Sequence, residues 1–395
     1  MRVLGINGSG RIGKLTLWRH IALGHFDKIV INTGREVGKS VQDLANYLES
    51  DSTYGQFSRY LYGVKGDAKR PIIRVVDEAQ GLMDVDGTPV IALRNARNPK
   101  DIPWHAHEVG VVVDTTCVFT DPTADPGNSR GALRGHLEGG ARKVINSSAF
   151  KIKGNGPAPE DAVTLIYGIN QTAYDPDTHH VLSAASCTTT AIAHMVKPLL
   201  EDAQTRKMPS TGASDFRKNR MVLDNIILTS TNAARALGIV IPQIQDIGFM
   251  ADSVRIPTST VSLITLNLTV QAKLDAEGES SVTREVVNGV LQSASEGPQK
   301  GLMVYSEVQK VSSDYKGVDA AVVIEAHDTH TRTAFLSIDP EELGLDLQEP
   351  LRVPVTHVKI FGWYDNELGS YTNRLADLTI YYMDIRAFGK GYEQF

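Results

Sequence analysis

The sequence predicts an α/β protein of two domains, and three observations carry that prediction. A short apolar strand at the N-terminus runs directly into a glycine-rich turn and a helix. Residues 262–270 alternate apolar and polar side chains, the mark of a sheet with one covered face. A chain of 395 residues is long enough for two cores of ordinary size. The first domain is read as 1–186 and completed by a C-terminal helix within 364–395; the second is 187–363.

The elements follow in chain order. Val3–Asn7 is a buried strand, and Gly8-Ser9-Gly10-Arg11-Ile12-Gly13 follows at once, leading into a helix through Leu15, Leu17, Trp18 and Ile21. This is G-x-G-x-x-G between strand and helix, where glycines allow a tight turn and the helix N-terminus faces a pyrophosphate. The second strand, Lys28–Asn32, ends in Thr33-Gly34-Arg35 where such a unit usually carries a carboxylate for the ribose hydroxyls. Without that carboxylate a 2′-phosphate meets no repulsion, and Arg35 can pair with it, so NADP or NAD is expected.

Residues 109–115 and 143–147 read as buried parallel strands with a helix over 131–139 between them; 120–127 and 153–160 read as loops. In the second domain, 322–326, 334–338 and 355–361 read as strands and 281–295 as a helix.

Composition narrows the function. The net charge of -6 argues against nonspecific nucleic-acid binding, and the short basic run Arg217-Lys218-Asn219-Arg220 does not alter that. No apolar run approaches the ~20 residues that span a bilayer, and the N-terminus opens on a strand rather than a signal peptide. Two cysteines supply no disulfide framework. A cytoplasmic protein without nucleic-acid or membrane partners is expected, and no metal site is indicated.

Cys187 lies in S-A-A-S-C-T-T-T-A-I-A, after a strand end at 180–185 and before a helix through Ile192, Met195, Val196 and Leu199. A thiol at a helix start meets free backbone N–H groups and the positive end of the dipole, which stabilise a thiolate. Ser186, Thr188 and Thr189 add hydroxyls for an anionic substrate.

The strings I-N-G-S-G-R-I-G, H-H-V-L-S-A-A-S-C-T-T, S-E-G-P-Q-K-G with V-S-S-D, and W-Y-D-N-E occur in this order, and through them the chain resembles the phosphorylating glyceraldehyde-3-phosphate dehydrogenases. The resemblance covers nearly the whole chain. It implies a Rossmann domain, an α+β catalytic domain on a large, mostly antiparallel sheet, and a homotetramer using a small phosphorylated aldehyde and inorganic phosphate.

It also implies cofactor contacts at Arg11, Ile12, Thr33, Arg97, Ser147 and Asn366, beside Asn7, Gly8, Gly10 and Gly13 of the glycine turn and Arg35, which the residues themselves point to. Cys187 becomes the catalytic nucleophile, with Ser186, Thr188, Lys218, Thr231, Asn232 and Arg255 at the substrate and phosphates.

The chain departs from the family chiefly at one place. No V-H-A-x-T-like string, which in the family carries the catalytic histidine, stands between the helix after Cys187 and Ala213. His194, seven residues past Cys187, would lie roughly 10 Å along the helix and out of reach of the thiol. Two alternatives follow: an enzyme acting on erythrose 4-phosphate, or a catalytically impaired cofactor-binding homologue. Cys117 and Lys218 stand where the family has Gly and often Arg.

Overall fold

The computed structural model describes residues 1–34, 37–94, 96–202, 226–276, 278–346 and 349–383. The described residues divide into two compact units, Met1–Cys187 with Glu367–Met383, and Thr188–Asn366.

The first unit is built on nine strands: β1 (Val3–Asn7), β2 (Lys28–Asn32), β5 (Ile73–Asp77), β6 (Leu82–Val85), β7 (Thr88–Leu93), β8 (Val111–Asp114), β9 (Lys143–Asn146), β10 (Ala162–Thr164) and β11 (Val181–Ser183). A two-residue hairpin, β3 (Ser50–Asp51) with β4 (Gly55–Gln56), lies outside that sheet. The sheet order is β10-β11-β9-β8-β1-β2-β7-β6-β5, parallel from β10 to β7 and antiparallel at the β6–β5 edge.

Both faces are covered, and the alternation shows it. Leu4, Ile6, Ile29, Ile31, Val111, Val113 and Ile145 enter one apolar cluster, while Val3, Val30, Val112 and Val144 enter another on the opposite face. The helices Arg11–Leu23 and Asn373–Met383 supply Leu15, Trp18, Leu375 and Leu378 to the first cluster. The chain leaves β1 toward β2 on one side and returns to β8 on the other. The carboxyl ends of β1 and β8 therefore frame the crevice where open α/β sheets bind ligands.

In the second unit, β14 (Ser262–Gln271), β18 (Leu351–Tyr364), β16 (Val322–Glu325) and β15 (Met303–Ser306) form a sheet in that order, with β17 (His330–Ile338) also paired to β18. All pairs but β15–β16 are antiparallel. β12 (Ile227–Ser230) and β13 (Asp252–Arg255) form a separate antiparallel pair. The helix Arg284–Glu296 is capped by the Thr283 side chain on the Val286 N–H, three residues after the expected start.

Three expected boundaries shift. The helix expected at 131–139 is a single turn, Gly135–Glu138, because Gly131 and Gly140 take φ of 86° and 96° and close it on both sides. The strand expected at 355–361 runs from Leu351 to Tyr364, so the terminal helix begins at Asn373 after an irregular turn at Leu368–Thr372, not at 364. β17 starts four residues before the expected 334.

Candidate active site

The glycine-rich turn is held by close packing. A Cβ on Gly13 would stand 1.9 Å from the Gly8 carbonyl oxygen, and Gly8 has φ of 105° with Thr115 Oγ1 2.9 Å from where its Cβ would be. Gly10 precedes the helix Arg11–Leu23 without a side-chain cap, and no acidic residue lies in the first turn. Such a helix start fits a dinucleotide pyrophosphate: the backbone cradle accepts no side chain, and its N–H donors suit an anion.

Beneath the turn lies a buried polar network. Asn7 Nδ2 donates to Asp114 Oδ2 at 2.8 Å, Asn32 Nδ2 donates to Asn7 Oδ1 at 2.8 Å, and the His136 Nε2 lies 2.9 Å from Asp114 Oδ2. Trp104 Nε1–H donates to His136 Nδ1 at 3.0 Å. That bond places the imidazole proton on Nε2, where it donates to the carboxylate. Burial pushes the Asp114 carboxyl up, but hydrogen bonds from His136, Thr116 and Asn7 outweigh it and hold the group below its ordinary range. Asp114 and His136 were not legible as site residues; the signal was a carboxylate closing the all-valine strand V-V-V-D.

Arg11 lies at the start of the helix with its guanidinium engaged: Nη1 donates to both Glu367 carboxylate oxygens, Nε to Asp51 at 3.3 Å, and Nη2 to Ser52 at 3.1 Å. Its backbone, with that of Ile12, remains suited to a pyrophosphate. Thr33 is buried at the end of β2, its N–H on the Leu93 carbonyl at 2.9 Å. Ser147 follows β9 and is buried, and Arg97 is exposed. Arg35 and Lys218 lie outside the described residues.

Cys187 is the first residue of a 16-residue helix, Cys187–Asp202. The approach from β11 is sharp, because Ala185 has φ of 54°, a left-handed conformation uncommon for a residue with a Cβ. The Ala185 N–H donates to Ser183 Oγ at 3.1 Å, and Ser183 Oγ donates to the Ser148 carbonyl at 2.8 Å, which fixes the turn. The buried Tyr371 hydroxyl donates to the Ser147 carbonyl and, at 3.4 Å, to that of Ala185. Tyr371 is raised well above the usual phenol range by burial first, then by the Cys187 and Cys117 thiols. Sequence reasoning did not assign it a role.

Cys117 also has positive φ, 57°, which accounts for a glycine at that position in the family. Burial first, then the Asp114 charge, pushes its thiol above the ordinary range, away from nucleophilic chemistry.

In the second unit, Thr188 Oγ1 lies 2.9 Å from Tyr364 OH, and the Asn366 Oδ1 accepts from Ser262 Oγ at 3.4 Å. His194 is fully buried and its Nδ1 donates back to the Thr190 carbonyl at 2.8 Å, an orientation set by its own helix. Thr231 Oγ1 accepts from the Ala233 N–H at 3.1 Å just before the next helix, whose N-cap is the exposed Asn232. The β12–β13 ladder pairs Ile227 with Arg255 and Ser230 with Asp252. Thr231 and Arg255 therefore stand at opposite ends of it, about 13 Å apart at strand spacing. Among the described residues no group of His, Cys and carboxylates could hold a metal ion, and no helix is long and apolar enough to cross a membrane.

A family model described as the NAD binding domain of glyceraldehyde 3-phosphate dehydrogenase matches residues 2–122, and one described as its C-terminal domain matches 199–366. Among curated relatives, glyceraldehyde-3-phosphate dehydrogenase of Geobacillus stearothermophilus is 32% identical over 393 residues, covering 96% of this chain and 97% of the relative. Glyceraldehyde-3-phosphate dehydrogenase 2 of Streptomyces avermitilis is 31% identical over 394 residues, with 96% and 97% covered. Glyceraldehyde-3-phosphate dehydrogenase 1 of Bacillus subtilis is 31% identical over 395 residues with the same coverage.

Proposed function

Because the chain belongs to the glyceraldehyde-3-phosphate dehydrogenase family, we propose that Cys187 is the nucleophile of its NAD- or NADP-dependent, phosphorylating oxidation of a small aldose phosphate. The observation that carries this reading is the position of Cys187 as first residue of a long helix reached through the left-handed Ala185. That start offers the thiolate backbone N–H donors and the dipole's positive end.

The chemistry balances at this residue. The thiolate sulfur attacks the aldehyde carbon, a C–S bond forms, and the carbonyl oxygen takes the electron pair, held by backbone N–H groups of the first helical turn. When bound, a nicotinamide would supply the acceptor for the hydride, the former aldehyde hydrogen with its electron pair, that leaves as the carbonyl re-forms on the Cys187 adduct. A thioester remains on Cys187. A phosphate oxygen then adds to its carbonyl, the C–S bond breaks, and the acyl phosphate leaves with Cys187 restored as thiolate.

Asn7, Gly8, Gly10 and Gly13, with the backbone of Arg11 and Ile12, would hold the pyrophosphate. Thr33 would meet the ribose, with Arg35 on a 2′-phosphate, and Arg97, Ser147 and Asn366 would orient the nicotinamide half. Ser186, Thr188, Thr231, Asn232, Lys218 and Arg255 would hold the two phosphates, with Thr231 and Arg255 about 13 Å apart along the ladder at strand spacing, which suits two groups rather than one. A cytoplasmic homotetramer belongs to the same reading.

A second reading is favoured by one observation: the sequence between Asp202 and Ile226 has no V-H-A string. General acid–base assistance contributes ~10²–10⁴-fold, so without a histidine the reaction is slow rather than absent. Turnover measured with and without inorganic phosphate, on glyceraldehyde 3-phosphate and erythrose 4-phosphate in parallel, tests the assignment. Phosphate-dependent oxidation of the three-carbon substrate supports it. Phosphate-independent oxidation confined to the four-carbon substrate refutes phosphorolysis.

A further inference from the structure

Arg94 directly follows β7 and stands beside the exit of β2. Asn32 is paired in parallel with Leu93, and the Thr33 N–H donates to the Leu93 carbonyl at 2.9 Å. Two residues past Arg94, the Ala96 carbonyl accepts from Asn32 Nδ2 at 3.0 Å, so this segment lines the end of β2. From there the Arg94 guanidinium reaches the far end of the loop that leaves β2, donating from Nη2 to the Gly38 carbonyl at 3.0 Å and from Nη1 to the Lys39 carbonyl at 3.1 Å.

That far end of the loop is firmly held. Gly38 has φ of 64°, and a Cβ on it would stand 2.1 Å from the Asp43 Cβ. Asp43 Oδ2 accepts from the Lys39 and Ser40 N–H groups at 2.7 and 3.0 Å, and Ser40 Oγ accepts from the Asp43 N–H at 3.0 Å, a capping box that starts the helix Val41–Leu48. Arg94 therefore touches a fixed backbone at both ends of residues 33–40, at Leu93 through the chain and at Gly38 and Lys39 through its side chain.

Both partners of the guanidinium are neutral carbonyls, which orient the group without cancelling its charge. Among the described residues no carboxylate forms an ion pair with it, and the Asp43 carboxylate is taken up by the backbone donors of its own loop. Arg94 is half-buried, and three of the five guanidinium N–H donors are left over. An oriented cation with spare donors, next to a strand end that lacks the usual ribose carboxylate, is suited to an anion carried on the ribose.

We infer that Arg94, given the reading that Thr33 meets the adenosine ribose, is a second cationic group alongside Arg35 for a phosphate on the ribose 2′-oxygen, and so helps set the choice between NADP and NAD. The phosphate would be held from two elements, the loop after β2 and the end of β7. A free 2′-hydroxyl has no charge to answer the guanidinium, so NAD gains little from the same residue.

Calorimetric titration of the full chain with NADP, NAD, adenosine 2′,5′-bisphosphate and adenosine 5′-monophosphate tests this without reference to turnover. The native chain should bind the bisphosphate more tightly than the monophosphate. Arg94→Gln should weaken NADP and the bisphosphate by about tenfold or more and leave NAD and the monophosphate within about twofold, while Arg94→Lys, which keeps the charge but loses the fork, should show an intermediate loss for the phosphorylated pair alone. Equal weakening of NADP and NAD would reduce Arg94 to a brace for the loop and overturn the inference. Unchanged bisphosphate affinity in Arg94→Gln, with that affinity lost in Thr33→Asp, would overturn it while leaving Thr33 at the ribose. A native chain that does not distinguish bisphosphate from monophosphate would remove the 2′-phosphate site altogether, Arg35 included.

Discussion

Arg11 and Glu367 are joined by two hydrogen bonds of 3.0 and 3.1 Å, linking the first residue of the glycine-loop helix to the residue directly after Asn366. Asp51 completes the clasp; burial pushes its carboxyl up, but N–H donors from Thr53 and Tyr54 and the charges of Arg11 and Lys14 hold it below the ordinary range. The Arg11 side chain is one-third exposed, at 34%, so the pair contributes modestly to stability and chiefly fixes orientation.

Glu367→Gln removes the charge and leaves the shape. The expected result is cofactor affinity reduced roughly three- to tenfold, with a melting temperature almost unchanged. Fluorescence titration with NAD checks it; unchanged affinity would reduce the pair to surface decoration.

His136→Leu should cost about 3 kcal/mol of stability, because Asp114 would be left buried with its strongest partner removed. Asn7 hangs from that carboxylate and Asn32 from Asn7, so cofactor binding should weaken as well. Denaturant unfolding together with cofactor titration tests both parts. A loss below about 1 kcal/mol would show that the network relaxes around the gap.

His20 gives the protein a pH dependence of known sign. It is fully buried, and burial first, then the charges of His25 and Arg19, pull it down to about 3. The folded state keeps the ring neutral while the unfolded chain protonates near the ordinary value of about 6.5. As pH falls below that value the unfolded state binds the proton first, so stability drops by about 1.4 kcal/mol per pH unit until about 3. His20→Phe should flatten the slope between pH 6.5 and 5, a window above most carboxylate titration. Parallel denaturation curves for the two proteins across that window would contradict the account.

Thr33→Asp should lower NADP affinity by about tenfold or more and leave NAD affinity equal or higher, since a carboxylate would meet the 2′-phosphate and could bond free ribose hydroxyls. Dissociation constants for both cofactors decide it. If neither changes, Thr33 does not face the adenosine ribose.

Much of this was legible because the signals were local. The glycine turn, the buried strands of the first unit and the position of Cys187 each sit in a short window whose pattern has one physical reading. What escaped depended on distance along the chain. Nothing near Arg11 reveals Glu367, and Asp114 at the end of a valine strand reveals neither His136 nor Trp104. β18 was read short because Pro354 interrupts its start and Gly362 its end; the pairing with β17 and β14 carries it through both. The left-handed turn at Ala185 has no glycine to announce it. Residues 203–225, where the V-H-A string is missing from the sequence, lie outside the described residues.

The most direct test of the central claim, that Cys187 is the nucleophile of a hydride-transferring oxidation, is a single-turnover measurement without phosphate. The cofactor-saturated chain is mixed with glyceraldehyde 3-phosphate, and reduced nicotinamide is followed by its absorbance. The account predicts a burst of about one reduced cofactor per chain, an acyl group trapped on Cys187, and no burst from Cys187→Ser, which binds cofactor normally but lacks a nucleophile at neutral pH. A burst of undiminished size from the serine variant, or none from the native chain with cofactor demonstrably bound, would contradict it.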